Sequence, residues 1–326
     1  MTALGARLLA PELPLEAERV FAPDIALIDA DVVLHRVGFT TENDEFWVAQ
    51  HRADEMLDNI LLASGVTQYQ LWLSDSAANN FRYQIYPLYK ANRTKPKPKH
   101  HEELKAYLIQ EWDAQFAYGM EADDYLGILQ DEEEQTTVIC SVDKDLKQIP
   151  GLHFNFVKNE WANITRREAL KEFYTQIILG DTSDNIPGAY GKGPVAAAKA
   201  LQDLSNNISE DDAEYLGLLN VRRLYKDSLL KQWPGEWDLS KEKAMIGQIL
   251  LAGRLLKIKR SFKEKLWGST LCSLMEEFSL SSTLPAEVVS APFMEPIIRE
   301  KTSAGCPLVG ALMASTLVPK DEAVST

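Results

Sequence analysis

Thr136-Thr137-Val138-Ile139-Cys140-Ser141-Val142-Asp143-Lys144-Asp145 runs from β-branched and apolar residues directly into a pair of carboxylates. A short apolar run of this kind reads as a strand buried on both faces. Two further stretches share its form. Ile25–Ile28 leads into Asp29, and Tyr69–Leu73 leads through Ser74 into Asp75. The intervening segments 46–63, 102–116 and 122–130 read as helices. This β-α-β alternation predicts an α/β fold with a mostly parallel central sheet flanked by helices. Ligands in such sheets bind beyond the carboxyl ends of the strands, so three aspartates are expected at one place.

His153–Val157 is a candidate fourth strand, and Thr165 with Glu168 has the spacing of a capping box opening a helix over 166–179, which ends at Gly180. Beyond it Ala196–Leu201, 211–232 and 241–258 read as helices. The organisation expected is an N-terminal extension (1–23), an α/β domain (24–165), a helical subdomain (166–267) and a tail (268–326). Pro285, Pro292, Pro296 and Pro307 break any period in the tail, which is expected to be partly irregular.

With 326 residues, 45% of them hydrophobic, the chain has the composition of a soluble globular protein. Cys140, Cys272 and Cys306 form no CxxC pair, which argues against a disulfide framework or zinc site and fits a reducing cytoplasm. Leu8-Leu9-Ala10 is interrupted by Pro11 and Pro14, unlike a signal peptide, and no stretch is apolar enough to suggest a membrane partner. The formal charge of −14 opposes nucleic-acid binding by the average surface. The charge is unevenly spread, however. Between Lys90 and Lys105 six Lys/Arg oppose two Glu, and between Arg254 and Lys265 six oppose Glu264 alone.

The acids are patterned. Glu121-Ala122-Asp123-Asp124 opens a helix, with Glu121 and Asp124 on one face. Asp143 and Asp145 follow a strand, and Asp181 and Asp184 follow the helix that ends at Gly180. Each group alone is common turn or helix-start chemistry. Together with Asp29 and Asp75 they make nine acids that would repel strongly unless cations neutralised them. Oxygen-only donors favour Mg²⁺ or Mn²⁺, and two such ions could clamp the attacking water and leaving oxygen of a phosphodiester. Asp131-Glu132-Glu133-Glu134, with no strand end beside it, reads as a solvated face.

In order along residues 25–200, the strings Ile28-Asp29, Leu73-Ser74-Asp75, Tyr89-Lys90-Ala91-Asn92-Arg93, Gly119-Met120-Glu121-Ala122-Asp123-Asp124, Ser141-Val142-Asp143-Lys144-Asp145 and Gly180-Asp181-Thr182-Ser183-Asp184-Asn185-Ile186-Pro187-Gly188 resemble the flap endonuclease/5′-nuclease family, in the style of phage 5′→3′ exonucleases and the exonuclease domain of bacterial DNA polymerase I. The resemblance implies a PIN-like sheet, a helical arch at about 79–110 and a helix-three-turn-helix DNA-binding subdomain. It makes the nine acids metal-cluster positions, places Lys90 and Arg93 on the arch over the active site, and makes Tyr89 an aromatic that stacks on substrate. It also makes Gly188-Ala189-Tyr190-Gly191-Lys192-Gly193 the turn that grips duplex DNA, often with K⁺. Lys192 stands where the family has an apolar residue, and Val195 where it has a basic one.

Gly191-Lys192-Gly193-Pro194-Val195-Ala196 also satisfies G-x-G-x-x-A, but no strand precedes it. Lys95, Lys97 and Lys99 alternate with prolines and fit either a solvated linker or a DNA-guiding segment. His100 and His101 read as solvated, and Tyr83 and Tyr86 as packing a helix face. The function expected is 5′→3′ hydrolysis of DNA at a duplex, nick or flap by a monomer. The rivals are cleavage of RNA–DNA hybrids and a non-catalytic structure-specific DNA-binding relative.

Overall fold

The computed structural model describes residues 23–132, 136–204 and 207–268. Expectations for residues 1–22, for the tail from 269 onward, and for Cys272 and Cys306 lie outside the described residues. Among these residues, no helix is long and apolar enough to cross a membrane.

The three strand readings hold, as β1 (Ile25–Asp29), β2 (Gln68–Ser74) and β4 (Thr137–Cys140). The candidate fourth strand is β5 (Gly151–Asn155). Two strands were not foreseen. The helix predicted over 102–116 stops at Trp112, where Asp113 turns into the left-handed region (φ 53°), and β3 (Gln115–Ala117) follows. β6 (Glu160–Ile164) pairs antiparallel to β5 as an exposed edge. Sheet order is β3-β2-β1-β4-β5-β6, with every pair but the last parallel.

Strand alternation sorts β1 between two cores. Ala26 and Ile28 face a cluster with α1 (Ala30–Thr40), α2 (Phe46–Ser64) and α4 (His101–Trp112). Ile25 and Leu27 face α5 (Ala122–Glu132). From β1 the chain builds outward through β2 to β3, then crosses back to place β4 on the other side of β1. This reversal leaves a crevice at the carboxyl end of β1, the usual ligand position of an open α/β sheet.

α6 (Arg166–Leu179) starts with the expected capping box and runs to Gly180, where the short pair β7 (Gly180–Asp181) and β8 (Ile186–Pro187) begins. α7 (Pro194–Ala200), α8 (Glu210–Gln232) and α9 (Leu239–Leu256) pack with α6 in a third core. Tyr83 and Tyr86 pack against this core as expected. The arch segment is helical at its ends, in α3 (Phe81–Ile85) and α4, with turns between.

Several surface readings are corrected. His100 and His101 are buried: His100 bonds Glu103 and the Asp44 carbonyl, and His101 bonds Glu102 and lies beside His35. Pro98 is buried against Gly38, and the Lys99 N–H donates to Glu42, so this segment is fastened to the end of α1. Asp131 receives Arg260 and Arg166 instead of only facing water. Much of the second basic stretch is used internally, with Lys257 over Phe173 and Lys259 over Phe81.

Candidate active site

Asp29 closes β1 and also caps α1, which explains why that helix had no separate signal in the sequence. Its two oxygens accept the Val32 N–H (3.1 Å) and the Ser141 hydroxyl (3.0 Å). Ser141 in turn accepts the Asp143 N–H at 3.1 Å, tying the ends of β1 and β4 together. Burial, with the charges of Asp31 and Asp143, pushes the Asp29 carboxyl up to about 7 despite the two bonds. Asp123, in the first turn of α5, is held well above the usual carboxylate range by burial and then by Asp29, Asp143 and Glu121. Asp145 is pushed up to about 6 by burial and Asp143, with Asp181 contributing. Sequence-distant carboxylates thus feel one another at this end of the sheet.

Lys90 and Arg93 join the cluster from the arch. Lys90 Nζ lies 2.5 Å from Glu121 and 3.6 Å from Asp184, and Arg93 pairs with Asp184. Lys90 reaches the acids from a turn with φ 56°, and its N–H donates to the Asp184 carbonyl at 2.9 Å. Burial would raise the Glu121 carboxyl, but Lys90 and Arg82 outweigh it and hold it down at about 2. Asp181 sits lower than usual because Ser183 donates both its N–H and its hydroxyl, overcoming burial.

Two of the nine acids take other work. Asp124 is fully buried and grips Arg82 with both oxygens, at 2.5 and 2.9 Å, while also accepting the Glu121 and Lys259 N–H groups. Its lone pairs are committed, so it is a structural partner of Arg82 here. Asp75 accepts the N–H groups of Gly119 and Ser76 and the Asn79 amide, bracing the exit of β2.

Tyr89 is corrected as a stacking residue. Its ring is 2% exposed and packs edge-on to Tyr83, while its hydroxyl donates to Glu121 and Asp184. Gly188 is needed by packing, since a Cβ there would lie 2.2 Å from the Leu179 carbonyl carbon. Gly191 (φ 68°) and Gly193 face open space. Lys192 pairs with Asp227 at 3.4 Å, and Lys97 with Glu102 at 3.0 Å. Lys99 Nζ reaches the Asp44 carbonyl, and Lys95 is exposed.

Four contributors escaped sequence reading: Asp31, Ser141, Arg82 and Gln176. Asp31 accepts the Ser74 N–H, and Gln176 donates to Asp145. Asp31 had a signal, since Asp29-Ala30-Asp31 repeats the spacing of Asp143-Lys144-Asp145.

Among the described residues no group of three or more His, Cys, Asp or Glu side chains is arranged to hold an ion. The donor chemistry nevertheless fits a hard cation. It is all oxygen, and burial and mutual repulsion work against its negative charge, a penalty that a divalent ion relieves.

The family model for the 5'-3' exonuclease N-terminal resolvase-like domain matches residues 24–175. A 5'-3' exonuclease of Buchnera aphidicola subsp. Schizaphis graminum is 28% identical over 203 residues, covering 56% of this chain and 71% of that one. The flap endonuclease Xni of Pectobacterium atrosepticum is 24% identical, covering 69% and 86%. DNA polymerase I of Bacillus caldotenax is 30% identical, but the match covers 45% of this chain and only 19% of the polymerase. A sheet reversing at β1, a carboxylate cluster at its carboxyl end and these matches agree: over residues 24–175 the chain is similar to the N-terminal domain of 5'-3' exonucleases.

Proposed function

We propose that this chain is a divalent-metal-dependent 5′→3′ exonuclease and flap endonuclease that hydrolyses DNA phosphodiester bonds near a free 5′ end and leaves 5′ phosphates. The observation that carries the reading is the placement of Lys90 and Arg93 on Glu121 and Asp184, beside the cluster of Asp29, Asp123 and Asp143. The acids at this end of the sheet, Asp29, Asp123, Asp143, Asp145 and Asp181, would together hold the ions. Mg²⁺ or Mn²⁺ held there would supply an activated water and stabilise the charge on the departing 3′ oxygen.

The protein's own groups bind and orient. Lys90 and Arg93 now balance two carboxylates, and a scissile phosphate beside them would offer growing negative charge in the transition state instead. Ser141 holds Asp29 and the Asp143 backbone in register. The helices from α6 onward are read as a duplex-gripping subdomain, with the open turn at Gly191 and Gly193 as its contact and K⁺ as its ion. The chain is further read as a cytoplasmic monomer.

The test uses 5′-labelled flap, nicked, blunt, single-stranded and RNA–DNA hybrid substrates, each with Mg²⁺ and with EDTA. Metal-dependent release from the 5′ side with 5′-phosphate products is expected. Undiminished cleavage in EDTA would falsify the metal mechanism. Binding without cleavage in either metal would select the non-catalytic alternative, and preference for the hybrid the ribonuclease one.

A further inference from the structure

We propose a second phosphate-binding site, away from the carboxylate cluster, in the cavity where the first turns of α6 and α8 meet the chain that follows α9. The cavity measures about 730 Å³, and its lining carries six Lys/Arg against four Asp/Glu. Two of those acids are already engaged. Asp131 takes Arg166 and Arg260, and Glu264 accepts the Arg260 N–H.

The cations are less well served. Arg167 donates through one nitrogen to the carbonyls of Ile208 and Ser209, but its Nε and Nη1 are buried and meet no acceptor among the described residues, and neither does Nε of Arg260. A buried N–H left without an acceptor is destabilising, the more so when it is charged. Phosphate supplies several acceptor oxygens at once, in the geometry that guanidinium groups match. Lys257, another lining residue, stacks on Phe173 and is held below the usual lysine range by burial, so an anion nearby would relieve it too. Glu210 and Glu214 hold the surplus of lining cations over acids to two, which suits a single phosphate group.

Arg167, in the first turn of α6, stands one 14-residue helix from the acids after Gly180, about 20 Å at 1.5 Å per residue, while Phe173 and Gln148 bring the inner wall of the cavity nearer to them. At a 3.4 Å rise that is roughly six nucleotides of one strand. The ligand is therefore either a backbone phosphate of a duplex whose end lies in the cluster or a free mononucleotide phosphate. The binding claim itself does not depend on catalysis.

The experiment is calorimetric titration of the full chain in metal-free buffer with inorganic phosphate, deoxythymidine 5′-monophosphate, and hairpin duplexes of roughly four and roughly sixteen base pairs. Wild type is compared with Arg167→Gln and with the doubly substituted Lys263→Gln, Lys265→Gln, whose lysines are exposed. Saturable binding that weakens about tenfold in Arg167→Gln is expected. Loss confined to the longer hairpin assigns a backbone phosphate; loss with phosphate and the mononucleotide assigns the free species. No saturable binding to wild type, or equal affinity in all three proteins for every probe, overturns the site. If Arg167→Gln does not fold, the lysine variant is judged by the same criterion.

Discussion

Lys90 adopts a left-handed backbone conformation that costs a non-glycine residue on the order of 1 kcal/mol, and it is held there by bonds to Asp184 and Glu121. A cation fixed in this way acts without reorganising, so Lys90→Ala should lose on the order of 10²-fold in single-turnover rate with saturating enzyme. Lys97→Ala, whose partner Glu102 is exposed, should change only affinity, by about one phosphate contact in the salt slope. A wild-type rate for Lys90→Ala in rapid quench would remove it from the site. The acids divide under a second pair of variants. Asp143→Ala should abolish cleavage while urea unfolding of the metal-free protein shows equal or greater stability, because a like charge is gone. Asp124→Ala strands the buried Arg82 and should cost about 3–5 kcal/mol in the same measurement. These acids were legible as a set because they stand at strand and helix ends. Their separate roles were not, since the partner of Asp124 lies 42 residues away and no local pattern announces it.

β1 and β4 were readable because each buries both faces, and β2 because its inner end, Leu71-Trp72-Leu73, is apolar and buried. α6 was readable because its cap is local. β3 was not, having only three residues paired along β2, and β6 was not because its exposed side chains leave no apolar signature. The turn between α6 and α7 shows how one glycine-rich string holds two kinds of glycine. Gly188 lies against the Leu179–Gly180 backbone, whereas Gly193 faces open space. Gly188→Ala should therefore lower Tm sharply, and Gly193→Ala should leave it within about a degree or two of wild type, the range of a change near 0.5 kcal/mol or less. Equal melting curves for both would contradict the close backbone approach.

The whole molecule carries −14, and yet the segment from Lys90 to Lys105 concentrates positive charge. Association with duplex DNA should weaken steeply as salt rises, because only the local cations exchange with counterions. A flat plot of log Kd against log salt would mean that the average surface governs after all. The composition alone could not show this, since it records charge without position. Arg82 links the molecule in another way. From the foot of the arch it donates to the carbonyls of Leu255 and Lys257, 173 and 175 residues further along the chain. Ribosomal synthesis proceeds from the amino end, and domains form as their residues emerge. The α/β sheet can assemble while α9 is still unmade, but Arg82 gains these two carbonyl acceptors only when the end of that helix arrives. Order of synthesis thus becomes order of assembly, and the foot of the arch is tied to the helical subdomain only when translation of the described fold is almost finished.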